Sequence, residues 1–412
     1  MKNLSLLITG LIALSIWGIP DRDLQPRDTT RPVQQNARSG LFISKVIKSD
    51  EYVLFYPTLA ALDPGKQFWQ VEVHGLIFEH TTFSKSIPFG AILPDYKKLK
   101  PAKKNRSLYR QRAGWFFVDN EGRKKLKIQL QGKQYTLKPS RSNGHFKGSF
   151  RIAASEVRHW PLDRFNRIKF RAVTRADDKR IFSGEIFFIP SKGVSVISDI
   201  DDTIKLSEVY SKKKLIRNTF FKPYQAIPGM AESYQRWYKR HHTVFHYVTS
   251  SPWQLYVPLR KFMQHKGFPP GSFSMKYFRV VDRSFFNIFS KSPDYKVNSI
   301  TTIIRRYPQR SFILIGDSGE KDLQVYTAIA QRFPGRINVI YIRDTGQYNT
   351  KKKQYARFKQ ALKAAARKIP HVPVIVFSTR HKAASLKFYG PRLSHYKQSR
   401  RSLPASRTGV TH

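Results

Sequence analysis

The apolar run Val194-Ser195-Val196-Ile197-Ser198 delivers three carboxylates, Asp199, Asp201 and Asp202, with Thr203 directly behind them. In extended backbone, positions two apart point to the same side. Asp199 and Asp201 can therefore converge on one ligand, one attacking while the other moves protons. Turn-forming Asp residues also follow strands simply to bond nearby backbone, a use that fits Asp202. A second apolar run, Phe312-Ile313-Leu314-Ile315, ends in Gly316-Asp317-Ser318-Gly319-Glu320-Lys321-Asp322. Two strand ends then offer oxygens to a hard cation such as Mg²⁺, which takes one or two protein carboxylates and completes its shell with water and phosphate.

Between these clusters, Val244 to Val248 runs into Thr249, Ser250 and Ser251, followed by Pro252. The order predicts a helix start with Ser251 as N-cap and Pro252 as first helical residue. Thr249 would then lie beside free backbone N–H groups that favour an anion. Lys296 precedes a helical stretch with Val297, Ile300, Ile303 and Ile304, and can bring a cation to the same strand ends. Glu320 fits backbone bonding within its own loop. Arg343 ends an apolar strand, where it can meet a phosphate or pair with Asp344 or Asp322.

In this order the segments resemble the haloacid dehalogenase superfamily of phosphotransferases. More narrowly, VSVISDIDDTIKLS (Val194 to Ser207), FHYVTSSPWQL (Phe245 to Leu255) and GDSGEKD (Gly316 to Asp322) are similar to the actin-patch phosphatidate phosphatase family, over about residues 190 to 345. Tyr295 stands where that family has His before its motif lysine. Thr249-Ser250-Ser251 stands where it reads Ser-Asn-Ser, a change that keeps the hydroxyl. The resemblance implies Mg²⁺-dependent hydrolysis of phosphatidic acid to diacylglycerol and phosphate. Asp199 would be the nucleophile that becomes an aspartyl phosphate, and Asp201 the general acid and base. Mg²⁺ would be held by Asp199, the backbone carbonyl of Asp201 and Asp317, with Asp322 a direct ligand or one step removed. Thr249, Ser250 and Lys296 would bind the phosphoryl oxygens. Crowding by Asp199 and Asp202 is expected to raise the pKa of Asp201.

Length and charge agree with an anionic partner. The chain has 412 residues, and Lys plus Arg outnumber Asp plus Glu by 75 to 27, a formal charge of +48 that draws a protein to polyanions. Anionic phospholipid at a membrane surface is the expected partner. Nucleic acid rests on charge alone, since no recognition motif accompanies it. The basic residues are spread along the whole chain, as a general compositional bias would also give. Alternatives are a phosphatase for a soluble or nucleic-acid phosphomonoester, and a non-enzymatic module that binds anionic phospholipid. Cysteine is absent, which excludes disulfides and thiolate metal sites.

The elements that must position these residues fall into distinct stretches. Residues 1–20 read as a signal peptide or membrane anchor, so an exported protein is expected, and 21–40 as a linker. Over 41–190, short strands with turn signals predict an all-β sandwich. Expected strands include 68–78, 114–118, 146–152, 168–173 and 181–189, with a period-two pattern at Leu126, Ile128 and Leu130, and Asn143-Gly144 as a turn. Trp69, Trp115 and Trp160 are expected in the core, and 94–112 as a basic loop. Over 191–385, alternating strands and helices predict an α/β Rossmann-like, haloacid dehalogenase-type phosphatase domain, a parallel sheet with covering helices. Residues 205–228 read as a small flap over the site. Within 351–368, Tyr355, Phe358, Leu362 and Ala365 form an apolar stripe beside basic residues, suited to a covering helix or a membrane surface. Residues 386–412 read as a basic disordered tail.

Overall fold

The computed structural model describes residues 47–81, 103–277, 293–346, 352–378 and 383–390, all within the compact unit Ser44–His412. The expected leader, the linker, residues 94–102 of the basic loop and the tail beyond 390 lie outside the described residues. Period-two alternation makes the amino-terminal strands: β1 (Glu51–Phe55), β2 (Thr58–Leu62), β3 (Phe68–Glu79), β4 (Asp119–Asn120), β5 (Lys127–Leu130), β6 (Lys133–Thr136), β7 (His145–Ala153), β8 (Arg167–Val173) and β9 (Ser183–Ile189). In β8, Ile168, Phe170 and Ala172 are buried while Lys169 and Arg171 face water. The strands form one mixed sheet in which β3 pairs with β1, β2, β4 and β7, and only β2 with β9 runs parallel. Their core gathers Val71, Val73, Ile128, Phe146 and Ile186, with Trp69 and Trp160 packed against it.

One expected strand is a helix end instead. Residues 114–118 follow helix α1 (Arg106–Gly114), which also replaces the carboxyl-terminal part of the expected basic loop. Helical spacing there buries Tyr109, Arg112 and Ala113 together, and that burial outweighs the local β-propensity of Trp115 to Val118. A short turn of helix, α2 (Ala154–Val157), follows β7.

Apolar runs buried on both faces build the second sheet, as expected of parallel strands covered by helices. Its strands are β10 (Gly193–Ser198), β11 (Val244–Pro252), β12 (Gly271–Lys276), β13 (Arg310–Asp317), β14 (Ile337–Arg343) and β15 (Val374–Phe377). All pairings are parallel, in the order β12-β11-β10-β13-β14-β15. The connections carry α3 (Lys212–Ile216), α4 (Met230–His241), α5 (Tyr256–His265), α6 (Pro293–Arg306), α7 (Asp322–Arg332) and α8 (Lys352–Lys368). Alternate residues feed two clusters: Val196, Phe245, Tyr247, Ile313 and Ile315 on one face, Ile197, Val248, Leu314 and Ile340 on the other. From β10 the chain moves to β11 and β12, then returns to β13 on the opposite side of β10. The crevice at such a reversal, beyond the strands' carboxyl ends, is where ligands of open parallel sheets bind.

Three members of the α8 stripe face inward, Ala365 buried in the second cluster with Phe358 and Leu362 packed against it, while Tyr355 is exposed. No helix among the described residues is long and apolar enough to cross a membrane. Residues 383–390 dock on the sheet's other side: Ser233 Oγ donates to Ala383 O, Tyr341 Oη to Lys387 O, and Asn338 Nδ2 to Tyr389 O. Ordered packing thus continues past Leu386.

The amino-terminal strands are fastened to the parallel sheet. Leu59, Ala61, Phe187 and Ile189 share a cluster with Ile197 and Leu314. Arg306 donates to Leu59 O at 2.8 Å and pairs with Glu72 at 2.6 Å. Buried Arg310 grips the connection itself, donating to Pro190 O, Lys192 O, Val194 O and Ser195 Oγ at 2.6–2.9 Å. Across residues 205–228, α3 and a π-helical turn (Arg217–Phe221) form an insert held from α1. Arg112 donates to Thr219 O at 2.7 Å and Lys222 O at 2.8 Å, and its guanidinium lies 3.5 Å from the centre of the Tyr224 ring. Arg112→Ala leaves those carbonyls without their charged donor, and a loss of about 2–4 kcal/mol in denaturant-induced unfolding is expected.

Candidate active site

β10 continues one residue past its assigned end, because Asp199 N donates to Ile315 O of β13 at 2.9 Å. That bond fixes Asp199 at the reversal point. Its carboxylate, 1% exposed, accepts from Lys296 Nζ at 2.9 Å and from Thr203 Oγ1 at 3.1 Å. Asp201 is also buried but belongs to a different network. Its Oδ2 accepts from Thr249 Oγ1 at 3.0 Å and Ser251 Oγ at 2.8 Å. Its Oδ1 meets Ser207 Oγ at 2.7 Å and Lys205 Nζ at 2.8 Å. The paired carboxylates share a neighbourhood without sharing a partner.

Asp202 serves the turn, as expected. It sits in the left-handed region at φ 58° and accepts from the backbone N–H groups of Ser207, Glu208 and Val209 at 2.7–2.8 Å.

At the second strand end, Asp317 Oδ1 accepts from Gly319 N at 2.5 Å and Glu320 N at 3.1 Å. Asp322 opens α7; its Oδ2 accepts from Asp317 N at 3.2 Å and its Oδ1 from Lys296 Nζ at 2.5 Å. Lys296, in the first turn of α6, also pairs with Glu320 at 2.8 Å. Glu320 therefore reaches the ammonium instead of its own loop's backbone. One ammonium thus joins Asp199, Glu320 and Asp322, while oxygens of Asp199, Asp317 and Asp322 lie within 4.8 Å of one another.

The electrostatics follow from burial. Removal from water pushes Asp199 and Asp317 well above the usual carboxylate range; Lys296 opposes this at Asp199, and neighbouring carboxylates add to it at both. Asp322 is raised for the same reason, against the pull of Lys296. Burial alone would lower Lys296, yet Asp199, Asp322 and Glu320 outweigh it and hold the ammonium well above its ordinary range. Asp201 goes the other way. Burial raises it, but the charge and hydrogen bond of Lys205, with Ser207 and Ser251, prevail and hold it at about 2. The expected raised value for Asp201 is thereby overturned, because crowding by other carboxylates is weaker than the contact with Lys205.

The donor set fits a hard divalent cation. It consists of carboxylate oxygens from two strand ends, with acid in excess of the single ammonium. Asp317 Oδ2 is buried without a hydrogen-bond partner among the described residues. Such oxygen-only chemistry suits Mg²⁺ over softer metals.

The helix start expected at Pro252 lies further on. β11 runs through Pro252, and α5 begins at Tyr256 after a single 3₁₀ turn (Trp253–Leu255). Pro252 itself is extended, at φ −77° and ψ 156°, and pairs with Lys276 of β12, so the helix cannot begin at it, while Ser251 N donates to Thr249 Oγ1 at 3.0 Å. Ser251 is thus a donor to Asp201, not a cap. Ser250 lines a small crevice with Lys296, Glu320 and Asp322. Arg343 is buried at the end of β14, opposite Asp317 in register, and forms no ion pair with Asp344 or Asp322. Lys205 and Ser207 were not singled out from sequence as partners of Asp201. Their signal was position, four and six residues after it within the run Val194 to Ser207.

Residues 194–344 match the family described as "Phosphatidate phosphatase APP1, catalytic domain", in agreement with the sequence resemblance. Phosphatidate phosphatase APP1 of Saccharomyces cerevisiae is 37% identical over 161 residues, 38% of this chain and 27% of the relative. An uncharacterized protein of Schizosaccharomyces pombe is 37% identical over 174 residues, 41% of this chain and 28% of its own length. The match therefore spans little more than a quarter of either relative. Among solved structures, a β-glucuronidase of Parabacteroides merdae aligns with 79% of this chain and 40% of its own, at 8% identity and a TM-score of 0.24, too slight to bear on fold or function.

Gly316 leaves room for Asp322, since a Cβ there would collide with the Asp322 carboxylate. Gly316→Ala is expected to displace that carboxylate from Lys296 and to cost about 1–3 kcal/mol by overpacking. Denaturant-induced unfolding checks the cost, and an unchanged midpoint would show that the packing is slack.

Proposed function

We propose that this chain, whose residues 194–344 belong to the phosphatidate phosphatase APP1 catalytic-domain family, is a phosphoric monoester hydrolase that converts phosphatidate to diacylglycerol and inorganic phosphate. The observation that carries the reading is the meeting of two strand ends around one ammonium, with Asp199 and Asp322 on Lys296 and Asp317 beside them. That arrangement suits phosphoryl transfer, in which positioning and charge stabilisation supply most of the catalysis.

In this reading the parallel sheet is a haloacid dehalogenase-type domain, and the amino-terminal strands are a β-sandwich. Asp199, Asp317 and Asp322, with the backbone carbonyl of Asp201, would hold Mg²⁺, which when bound neutralises charge on the phosphoryl group. Asp199 attacks phosphorus, the P–O bond to the glycerol oxygen breaks, and an aspartyl phosphate forms. The leaving alkoxide takes a proton from Asp201. Water then gives a proton to Asp201 as its oxygen attacks phosphorus, and the acyl-phosphate bond breaks to restore Asp199. While Lys205 holds it, Asp201 is a carboxylate fitted to the base role; the acid role requires that contact to open. Lys296, Ser250 and Thr249 bind phosphoryl oxygens, Thr249 turning its hydroxyl from Asp201 to do so.

The formal charge of +48 favours an anionic membrane surface as the place of work. Export by way of residues 1–20 belongs to the same reading.

Phosphate release from phosphatidate in mixed micelles is expected to require Mg²⁺ and to fall by about 10³-fold or more in Asp199→Asn, with the fold retained by circular dichroism. Preference for a small soluble phosphate would reject the lipid substrate. Release that survives Asp199→Asn would remove the covalent mechanism.

A further inference from the structure

Two neighbouring cavities, each of about 370 Å³, share Trp115 and Val257 and are taken together as a groove. One wall comes from the amino-terminal half, with Leu54, Leu76 and Trp115. The other comes from the parallel sheet's connections, with Trp253, Val257 and Tyr277, and polar Asn120, Asn143, His145 and Gln254 also line this cavity. Ligand cavities favour such boundaries between packed units.

Two residues of the second cavity, Trp253 and Tyr277, directly follow β11 and β12, strands of the sheet whose carboxyl ends carry the site. Trp253 follows the end of β11 and lies two residues after Ser251, which donates to Asp201. Tyr277 follows β12 next to Lys276, which feels the charges of Glu320 and Lys296. The Trp253 and Tyr277 ring centres are 6.4 Å apart, and Tyr277 is 50% exposed at the mouth. In the other cavity, the apolar surface of Trp115, Val257 and Pro258 is flanked by exposed Arg110 and Lys261. Neither cation forms an ion pair among the described residues. An apolar floor at Trp115, Val257 and Pro258 with a cationic flank complements an anionic amphiphile, its polar parts facing the mixed lining of the adjoining cavity.

We infer that this groove seats a hydrocarbon chain of the substrate, so that the amino-terminal half supplies one wall of the lipid-binding site. The inference rests on the phosphatidate reading and deepens it. Each methylene buried stabilises by about 0.8 kcal/mol, so a long chain gains far more from the groove than a short one.

Two measurements on the full chain test it. The first compares kcat/KM for dioleoyl phosphatidate in mixed micelles and for soluble dihexanoyl phosphatidate in the wild type, Trp115→Ala and Val257→Ser. The variants are expected to lose about tenfold on the long-chain substrate, the equivalent of losing burial of about two methylenes, and little on the short one. The second uses phosphatidate brominated in mid-chain to quench tryptophan fluorescence in Asp199→Asn. Quenching is expected, and is expected to diminish in Asp199→Asn with Trp115→Phe, which keeps an aromatic ring in place. Turnover of phosphatidate with equal losses on both substrates, or quenching unaffected by Trp115→Phe, would overturn the groove while leaving the function intact. Absence of phosphatidate turnover alongside hydrolysis of a soluble ester would overturn both.

Discussion

The structure is organised around an ammonium placed where carboxylates would otherwise repel one another. Asp199 and Asp322 arrive from separate strand ends, both are buried, and Lys296 from a third segment holds them together with Glu320. Without that cation the cluster would have to take up protons or move apart, since an unpaired buried charge is costly. The hydrogen bond from Asp199 N to Ile315 O and the one from Asp317 N to Asp322 make the backbone part of the same lock. Sheet order and site chemistry are therefore one constraint, because only adjacency of β10 and β13 brings the acids within reach of one lysine.

Asp201 illustrates a division of labour between near neighbours. Asp199 shares Lys296 with other acids and stays above its ordinary pKa range, whereas Asp201 has Lys205 and a set of hydroxyl donors and is held low. Two carboxylates two residues apart thereby acquire opposite proton affinities from their surroundings alone, Asp199 from burial among acids and Asp201 from Lys205. Lys205 belongs to the segment that Arg112 ties to α1, so the environment of Asp201 depends on packing from the amino-terminal half.

Much of this was legible in the sequence because it is carried by local pattern. The apolar runs ending at Asp199 and Asp317 predicted buried parallel strands, and alternation at Leu126, Ile128 and Leu130 marked a half-buried strand. The convergence of Asp199, Asp317, Asp322 and Lys296 followed from strand ends plus family order. Long-range contacts were less readable. Nothing local says that Glu320 turns to Lys296, or that residues 114–118 close a helix anchored by Arg112. At Ser251 a capping signature competed with the pairing of Pro252 to Lys276 of β12, a contact between distant segments, and the extended backbone won. The lowered pKa of Asp201 depended on an ion pair in a turn whose geometry the sequence left open.

The grip of Arg310 on residues 190–195 has a consequence for how the protein can be divided. Family similarity begins at residue 194, yet the guanidinium takes carbonyls from both sides of that point. An excised fragment starting there would strand a buried cation without half its acceptors and strip Leu59 and Phe187 from the cluster around Ile197. The matched span and the mechanically fastened unit therefore differ: residues 194–344 are bound to their neighbours by contacts that begin before the match does.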